Sequence, residues 1–255
     1  GQCVGDNWDE RLDNFAPSAI SGKPEKIREW AIDFMKTTAK AAQLLGVKVV
    51  TCFLGSPIWA MWYSFPQTTP EMVEAGFQKI KELWTPIFDV YDECGVKLAL
   101  EVHPTEIAFD YYSTKKLFET IDYRPTLGLN FDPSHLIWQG MDPVEAARTL
   151  GDAIYFVHGK DVRLDAANIA KNGVLDTKHY GDVINRSWVF RTLGYGNDLK
   201  MWKDIVSMLK LVGYDDVISI EHEDSLMSPT EGLQKAISLL KEVLIFEKAG
   251  EMWWA

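Results

Sequence analysis

The chain has 255 residues, with 26 Lys and Arg against 37 Asp and Glu, so its formal net charge is −11 with histidine neutral. A hydrophobic share of 47% and a charged share of 25% are typical of a folded globular protein and argue against disorder. The length suits one α/β barrel domain or two smaller domains. The acidic balance argues against binding to a phosphate backbone, so no nucleic acid partner is expected.

The cysteine and hydropathy patterns indicate a cytoplasmic protein. The three cysteines, Cys3, Cys52 and Cys94, are odd in number and widely spaced, which argues against a disulfide framework or a thiolate zinc site and fits a reducing compartment. No apolar run approaches the roughly 20 residues of a membrane helix, and no signal peptide is visible. We therefore expect a cytoplasmic location and no membrane partner.

Segments with helical and strand periodicity alternate along the chain. Strands are predicted at Val47–Leu54, Lys97–His103, Leu127–Asp132, Ile154–His158 and Val217–Glu221. Helices are predicted at Pro24–Leu45, Thr69–Gly95, Ser113–Ile121, Pro143–Leu150, Leu199–Leu211 and Pro229–Lys248. The polar stretch 160–197 shows little periodicity and is predicted to be a long loop.

Strands that alternate with helices indicate βαβ units and a parallel sheet. A (β/α)₈ barrel needs eight strands, whereas only five are convincing here, and residues 1–46 contain one helix and no strand. We expect an α/β fold, a (β/α)₈ TIM barrel forming a single domain over residues 1–255, from which the N-terminal strands are absent. A doubly wound sheet is the alternative.

Four apolar strands each end in a side chain that can bind a metal ion. These side chains are Glu101 in LALEVHP, Asp132 in LNFDPSHL, His158 in YFVHGKD and Glu221 in ISIEHED. Carboxylates are rarely buried unless they are paired or metal-bound, and the carboxyl ends of barrel strands meet at one mouth. The pattern predicts a site for one divalent ion, and its oxygen-rich donors favour Mn²⁺, Mg²⁺ or Co²⁺ over Zn²⁺. Taken singly, each residue could instead be a helix cap, an ion-pair partner, a turn residue or a core histidine.

A divalent ion held in this way supports chemistry next to a carbonyl. It can polarise a ketone and the adjacent hydroxyl, which makes the carbon between them more acidic and stabilises an enediolate. Glutamates on opposite faces of that carbon could remove and return its proton, giving epimerisation or isomerisation. The same enediolate could expel a leaving group, as in a dehydratase or a 3-oxo-glycoside lyase.

The EVHP, FDPSHL, VHGKD and EHED segments, in this order and with these gaps, resemble the xylose isomerase-like TIM barrel superfamily. The resemblance is to its sugar phosphate isomerase/epimerase group, which includes ketose 3-epimerases and inosose dehydratases. It runs from about Val47 to Glu223, and the KAGEMWWA ending is also similar. It implies that the five strands are numbers four to eight, with the first three upstream of Gly1.

The resemblance also implies roles for particular residues. The strand-end residues match the ligands of a single divalent ion, most readily Mn²⁺, and Glu101 and Glu221 also match the catalytic acid/base pair. His135 matches a histidine that contacts a substrate oxygen, and Arg191 in FRTLGYG matches an arginine near the substrate. The implied substrate is a small carbohydrate.

Further substrate-binding candidates come from position along the chain. His103 and Lys160 lie beside strand-end residues, and Trp59 and Trp138 follow strands, where aromatic rings can pack on sugar C–H surfaces. Core or subunit packing explains such tryptophans equally well. No glycine-rich GK[ST] loop is present; Lys160, Lys171 and Arg163 could bind a phosphate, although loop charges are usually solvated.

Three classes of function remain open. The first is a divalent-metal-dependent sugar isomerase or epimerase, with the dehydratase or lyase outcome as its main rival. The second is a non-catalytic barrel subunit. The third is an apurinic endonuclease-like hydrolase, which five histidines and a net charge of −11 disfavour. A homo-oligomer is also open, because barrels of this kind often pair and the aromatic residues could form a subunit interface.

Overall fold

The computed structural model describes residues 1–248 and 250–254. The helices are α1 (Pro24–Leu45), α2 (Pro70–Cys94), α3 (Tyr111–Thr120), α4 (Pro133–Trp138), α5 (Pro143–Leu150), α6 (Ala166–Asn172), α7 (Leu199–Leu211) and α8 (Pro229–Val243). The strands are β1 (Val49–Cys52), β2 (Lys97–Glu101), β3 (Leu127–Phe131), β4 (Ile154–Gly159), β5 (Asp161–Leu164), β6 (Trp188–Arg191) and β7 (Ile218–Ile220). Among the described helices, none combines the length and apolar character needed to cross a bilayer.

The six predicted helices and five predicted strands are confirmed, the strands as β1 to β4 and β7. Local chemistry explains the helix ends. The Thr69 hydroxyl accepts a hydrogen bond from the backbone N–H of Met72 and caps α2, which continues through Pro86, and Gly95 ends it in the left-handed region. Asp110 and Ser113 form a capping box that starts α3 two residues before the predicted start.

Three segments differ from the prediction, and the first is the short helix α4, which follows β3 where no helix was expected. The stretch 160–197 contains β5, α6 and β6 rather than a continuous loop, because the two short strands pair with each other across a long connection. Helix α8 ends at Val243 instead of Lys248. Ile245 and Phe246 are exposed, so no burial supports another turn. The KAGEMWWA ending includes Ala249 and Ala255, which lie outside the described residues.

The chain divides into two compact units. The first unit comprises residues 1–136 and 153–157, and its strands are parallel in the order β1-β2-β3-β4. The register sets Glu101 of β2 opposite Asn130 of β3. Because parallel strands end at one edge of a sheet, the residues at the carboxyl ends of β2 and β3 are neighbours.

Helix α2 provides much of the core of the first unit. Its buried side chains include Phe77, Ile80, Trp84 and Phe88. The indole N–H of Trp84 donates a hydrogen bond of 3.0 Å to the carbonyl oxygen of Leu54, just after β1. This hydrogen bond satisfies the one polar atom of a fully buried ring and ties α2 to the carboxyl end of β1.

The second unit comprises residues 137–152 and 158–255. Here β7 neighbours the end of β4, and the backbone N–H of Glu221 donates to the carbonyl oxygen of Gly159 at 3.1 Å. Strands β5 and β6 form an antiparallel pair in which Asp161 faces Arg191 and Arg163 faces Val189. Helix α7 packs against both α5 and α8.

Candidate active site

In the first unit, two buried carboxylates at adjacent strand ends share one imidazole. Glu101 ends β2, Asp132 directly follows β3, and His135 lies in α4, three residues after Asp132. The Nε2 atom of His135 lies 3.2 Å from Oε1 of Glu101 and 3.5 Å from Oδ2 of Asp132. The exposed fractions are 6% for Glu101, 2% for Asp132 and 3% for His135. The structure thus brings together three residues that the sequence analysis selected.

Asn130, which sequence reasoning missed, orients Glu101. Its side-chain N–H donates to Oε2 of Glu101 at 3.1 Å, and Asn130 is fully buried. Asp132 is oriented similarly, because its Oδ1 accepts a hydrogen bond of 2.8 Å from the backbone N–H of Ser134. A polar residue inside the otherwise apolar strand LGLNF is the only sequence feature that could have pointed to Asn130.

His103 belongs to the same group. Its ring centroid lies 4.0 Å from that of His135, and Phe53 packs against it edge-on at 5.2 Å. Glu101, His103 and His135 each offer a ligand atom, and these atoms lie within 4.8 Å of one another. His103 therefore lies beside Glu101 and His135 in the first unit.

The donor set of the first unit fits a divalent cation. Two carboxylates buried beside each other repel, and an imidazole neutralises at most one negative charge, so bound positive charge would stabilise the group. Oxygen donors with imidazole nitrogen suit Mn²⁺, Mg²⁺, Co²⁺ and Zn²⁺. These residues can thus hold a metal ion by their chemistry as well as by their position.

A second cluster lies in the second unit, at the ends of β4 and β7. The Nδ1 atom of His158 lies 2.9 Å from Oε2 of Glu221. The buried ammonium of Lys160 lies 3.2 Å from Oε1 of Glu221 and 3.2 Å from Oε2 of Glu223. It also stands 4.2 Å from the centroid of the Phe190 ring. The two remaining predicted ligands, His158 and Glu221, are therefore in contact, with a cation beside them.

Arg191 forms an ion pair with Asp224. Its Nε donates to Oδ2 of Asp224 at 3.0 Å, and the backbone N–H groups of Thr192 and Leu226 donate to the same carboxylate. Burial opposes ionisation of Asp224, but these hydrogen bonds hold its pKa below the ordinary value. Since side chains alternate along a strand, Arg191 projects from the face of β6 opposite to Phe190.

Asp161, the residue after Lys160, anchors the Gly-x-Gly turn. Its carboxylate accepts hydrogen bonds from the backbone N–H groups of Gly194, Gly196 and Asn197 and from the indole of Trp202. Burial raises its pKa above the ordinary value although these donors favour the charged form. Sequence reasoning missed this role because the residues that Asp161 contacts lie more than 30 positions later in the chain.

The two tryptophan candidates have different surroundings. Trp59 is half-buried, packs edge-on against Phe109 and lines a cleft of about 600 Å³ in the first unit, together with Trp8, Asp6 and Thr105. Trp138 stacks on Trp188 in the second unit with centroids 4.6 Å apart and an interplanar angle of 11°. Trp59 therefore borders open space, whereas one face of Trp138 is covered by another ring.

Parallel strands with acidic and histidine side chains at their carboxyl ends define an α/β protein of the TIM barrel class with a metal-capable site. Residues 12–243 match the family model described as xylose isomerase-like TIM barrel, and the chain belongs to this family. The expected barrel class and family resemblance are confirmed, while the proposed absence of the first three strands stays a prediction.

Two curated relatives share substantial sequence with this chain. The chain is 36% identical over 224 residues to the uncharacterized protein YfiH of Bacillus subtilis, an alignment covering 83% of this chain and 71% of the relative. It is 30% identical over 120 residues to an inosose dehydratase of Geobacillus kaustophilus, covering 44% of this chain and 38% of that protein.

Solved structures share the fold at lower identity. A xylose isomerase domain protein from Planctomyces limnophilus matches with a TM-score of 0.60 at 21% identity, covering 86% of this chain and 68% of that one. The IOLI protein with a bound zinc atom matches with a TM-score of 0.58 at 22% identity, over 94% and 72% of the two chains. A D-tagatose 3-epimerase-like protein matches with a TM-score of 0.59 at 23% identity, over 87% and 71%.

Proposed function

We propose that this protein is a divalent-metal-dependent sugar isomerase or epimerase that moves a proton on a carbon next to a carbonyl group. The observation that carries the proposal is the sharing of His135 by the buried carboxylates of Glu101 and Asp132 at adjacent strand ends. Family membership supports it, as do the names of an epimerase-like structural neighbour and a dehydratase relative.

The four proposed metal ligands are the strand-end residues selected from the sequence pattern, Glu101, Asp132, His158 and Glu221. When bound, a divalent ion would polarise a substrate carbonyl and make the neighbouring C–H bond more acidic. Mn²⁺ suits three carboxylates and one imidazole, and Mg²⁺, Co²⁺ and Zn²⁺ are the other candidates. The zinc atom bound to the IOLI protein supports a metal of this kind.

Glu101 and Glu221 are the proposed proton carriers. Asn130 fixes one oxygen of Glu101 at 3.1 Å, which limits rotation of the carboxylate, as general acid–base catalysis requires. The Lys160 ammonium lies 3.2 Å from Oε1 of Glu221 and holds that carboxylate by an ion pair. One glutamate would remove the proton and the other would return it to the opposite face of the same carbon, which inverts that carbon. Return of the proton to the neighbouring carbon would instead isomerise the sugar.

The remaining candidates would bind and orient the carbohydrate. We propose that His135 and His103 form hydrogen bonds with substrate oxygens. Lys160 and Arg191 would bind other substrate oxygens through their positively charged groups. The cleft beside Trp59 offers an aromatic face with nearby polar groups, an arrangement typical of carbohydrate sites. Trp138, stacked on Trp188, would contribute a ring edge.

A dehydratase is the second candidate. The 30% identity to an inosose dehydratase over 120 residues favours it specifically. The same proton removal would begin the reaction, but the enediolate would then lose a hydroxyl group from the next carbon instead of regaining a proton. The two outcomes differ in their products: epimerisation conserves mass, whereas dehydration releases water.

Exchange of substrate protons with D₂O tests the proposal. The Mn²⁺-loaded chain is incubated with a panel of keto sugars and inososes, and ¹H NMR follows loss of the α-proton while mass spectrometry detects dehydration. We expect exchange that Glu101→Gln and Glu221→Gln each reduce by at least about 100-fold. Glu82→Gln, at an exposed position of α2, is the matched control. Absence of exchange throughout the panel, or full exchange by both active-site variants, would contradict the proposal.

A further inference from the structure

The second unit contains an arginine-rich cleft of which the proposed reaction uses only Arg191. The cleft has a volume of about 320 Å³, and its polar lining consists of Arg163, Arg186, Arg191 and Asp165, beside the ring of Trp188. We call this site the arginine cleft. Three guanidinium groups against one carboxylate are unusual in a chain whose net charge is −11.

Arg163 supplies an unneutralised charge at the cleft. It projects from the same face of the β5-β6 pair as Val189 and Arg191, because its register partner is Val189. Among the residues that the structure describes, no carboxylate forms an ion pair with it. An arginine beside a cleft with all its side-chain donors available can bind an incoming anion without breaking an existing contact.

Arg186 supplies a second charge, and this one is buried. Only 4% of the residue is exposed, yet within the described part of the chain its hydrogen bonds go to backbone carbonyl oxygens, those of Trp188 at 3.2 Å and Lys178 at 2.5 Å. Its guanidinium lies over the rings of Tyr180 and Trp188. The Asp176 carboxylate interacts with this charge electrostatically and also pairs with Lys178, so Arg186 is a buried, fixed donor whose charge is partly compensated.

The other two charged groups of the lining are already occupied. Arg191 is paired with Asp224, which lies outside the lining. Asp165 caps α6 by accepting a hydrogen bond of 2.9 Å from the backbone N–H of Asn168. The cleft therefore retains the unpaired charge of Arg163 and the partly compensated charge of Arg186, while the Asp165 carboxylate is fixed at the start of α6.

We propose that the arginine cleft binds the phosphate or carboxylate group of a small molecule. The planar guanidinium fork matches both oxyanions, and Val183, Ile184 and Val189 of the lining offer an apolar surface for the carbon skeleton that carries the group. A volume of about 320 Å³ is at the lower end of the range for small-molecule pockets and suits a ligand of monosaccharide size. This inference is independent of the proposed isomerase activity and requires no metal.

Calorimetric titration of the full chain tests the inference. After treatment with a chelator, so that no metal ion contributes, the protein is titrated at low ionic strength with inorganic phosphate, a hexose monophosphate, a hexuronate and a neutral hexose. We expect saturable binding of at least one oxyanion probe and none of the neutral hexose. A preference for the phosphate or the hexuronate would identify the source of the oxyanion.

Matched variants locate the binding. Arg163→Gln removes an exposed charge and should weaken oxyanion binding by about tenfold or more. Arg148→Gln, which removes an exposed arginine of the same unit outside the cleft, should leave it unchanged. Arg186→Lys, checked for folding by circular dichroism, should weaken it because lysine lacks the planar fork. No saturable binding of any oxyanion probe, or equal affinity in the wild type and Arg163→Gln, would overturn the inference.

Discussion

The carboxylate of Glu106 accepts a hydrogen bond of 2.6 Å from the backbone N–H of Gly55, which joins the loop after β2 to the loop after β1. The same oxygen accepts a second hydrogen bond, from the backbone N–H of Leu54 at 2.7 Å. The other carboxylate oxygen is buried and has no hydrogen-bond partner among the residues that the structure describes. Because the backbone N–H of Glu106 donates to the carbonyl of His103, this contact also supports the loop that carries His103.

We predict that the Glu106 carboxyl makes stability depend on pH. Burial raises its pKa from 4.5 to about 8, and the negative charge of Asp6 contributes in the same direction. The folded state therefore holds this proton more tightly than the unfolded state, and stability is lost as the pH rises between these two values. The loss attributable to Glu106 should reach at most about 4 kcal/mol.

Urea unfolding of the wild type and Glu106→Gln between about pH 5 and pH 9 measures this effect. Glutamine can still accept the two backbone hydrogen bonds but does not ionise, so the variant should lose less stability than the wild type as the pH rises. Parallel stability curves for the two proteins would show that Glu106 does not hold its proton in this way.

Gly55 should tolerate no side chain. Its φ is +81°, and a Cβ atom there would lie 2.3 Å from the carbonyl oxygen of Gln2 and 2.7 Å from the backbone nitrogen of Asp6. Gly55→Ala should cost about 3–5 kcal/mol, from left-handed strain plus overlap with backbone atoms. Gly95→Ala is the control, because Gly95 has φ +64° but open space around it, and should cost about 1–2 kcal/mol. Chemical denaturation compares them, and equal losses would contradict the proposed overlap.

Asp132 should be required for metal binding. Asp132→Asn removes a negative charge from the buried group and should weaken Mn²⁺ or Zn²⁺ binding by at least about 100-fold. Asp152→Asn, at an exposed position, should bind metal like the wild type. Calorimetry and metal analysis of the purified proteins measure both. Unchanged affinity in Asp132→Asn would remove Asp132 from the proposed ligands.

Asn130 should tune the same site without binding the metal. Asn130→Ala deletes the hydrogen bond to Glu101 and should weaken metal binding by about 10–100-fold, an effect typical of groups that orient a ligand. Asn130→Asp places a negative charge beside Glu101 and should raise the pKa of Glu101, shifting the acid limb of the proton-exchange profile to higher pH. An unshifted profile together with unchanged affinity would contradict an orienting role.

Asp161 should stabilise the second unit. Asp161→Asn replaces one acceptor oxygen by an amide donor, which leaves N–H groups of the Gly194–Asn197 turn or the Trp202 indole unsatisfied. The expected loss is about 2–4 kcal/mol. Asp215→Asn, at an exposed position, should change stability by less than about 0.5 kcal/mol. Thermal and urea unfolding provide the measurement, and similar stability of the two variants would contradict the anchoring role.

Much of the candidate site could be predicted from local sequence. Glu101 and Asp132 stood out because each follows a run of apolar residues at a strand end. Asn130 could not be selected in the same way, because its importance comes from the register that sets it opposite Glu101. Glu106 was missed for a similar reason, since its partner Gly55 lies 51 residues earlier in the chain.

The segment 160–197 shows the same limit. Strands β5 and β6 have four residues each and pair with one another, so neither carries a long periodic pattern. Their pairing places Arg163 and Arg191 on one face and Phe190 on the other. The arginine cleft therefore could not be recognised from the positions of Arg163, Arg186 and Arg191 along the chain.

The amino-acid sequence alone determined the order of six helices and five strands, several helix ends and the acidic or histidine residues at the ends of four strands, because periodicity and capping act over a few neighbouring residues. The tertiary structure alone decided that His135 is shared by Glu101 and Asp132, that Arg191 is bound to Asp224 and that Glu106 is buried against Gly55. Such contacts depend on strand register and packing between distant segments, and these determine the burial and hydrogen bonding of each charged group.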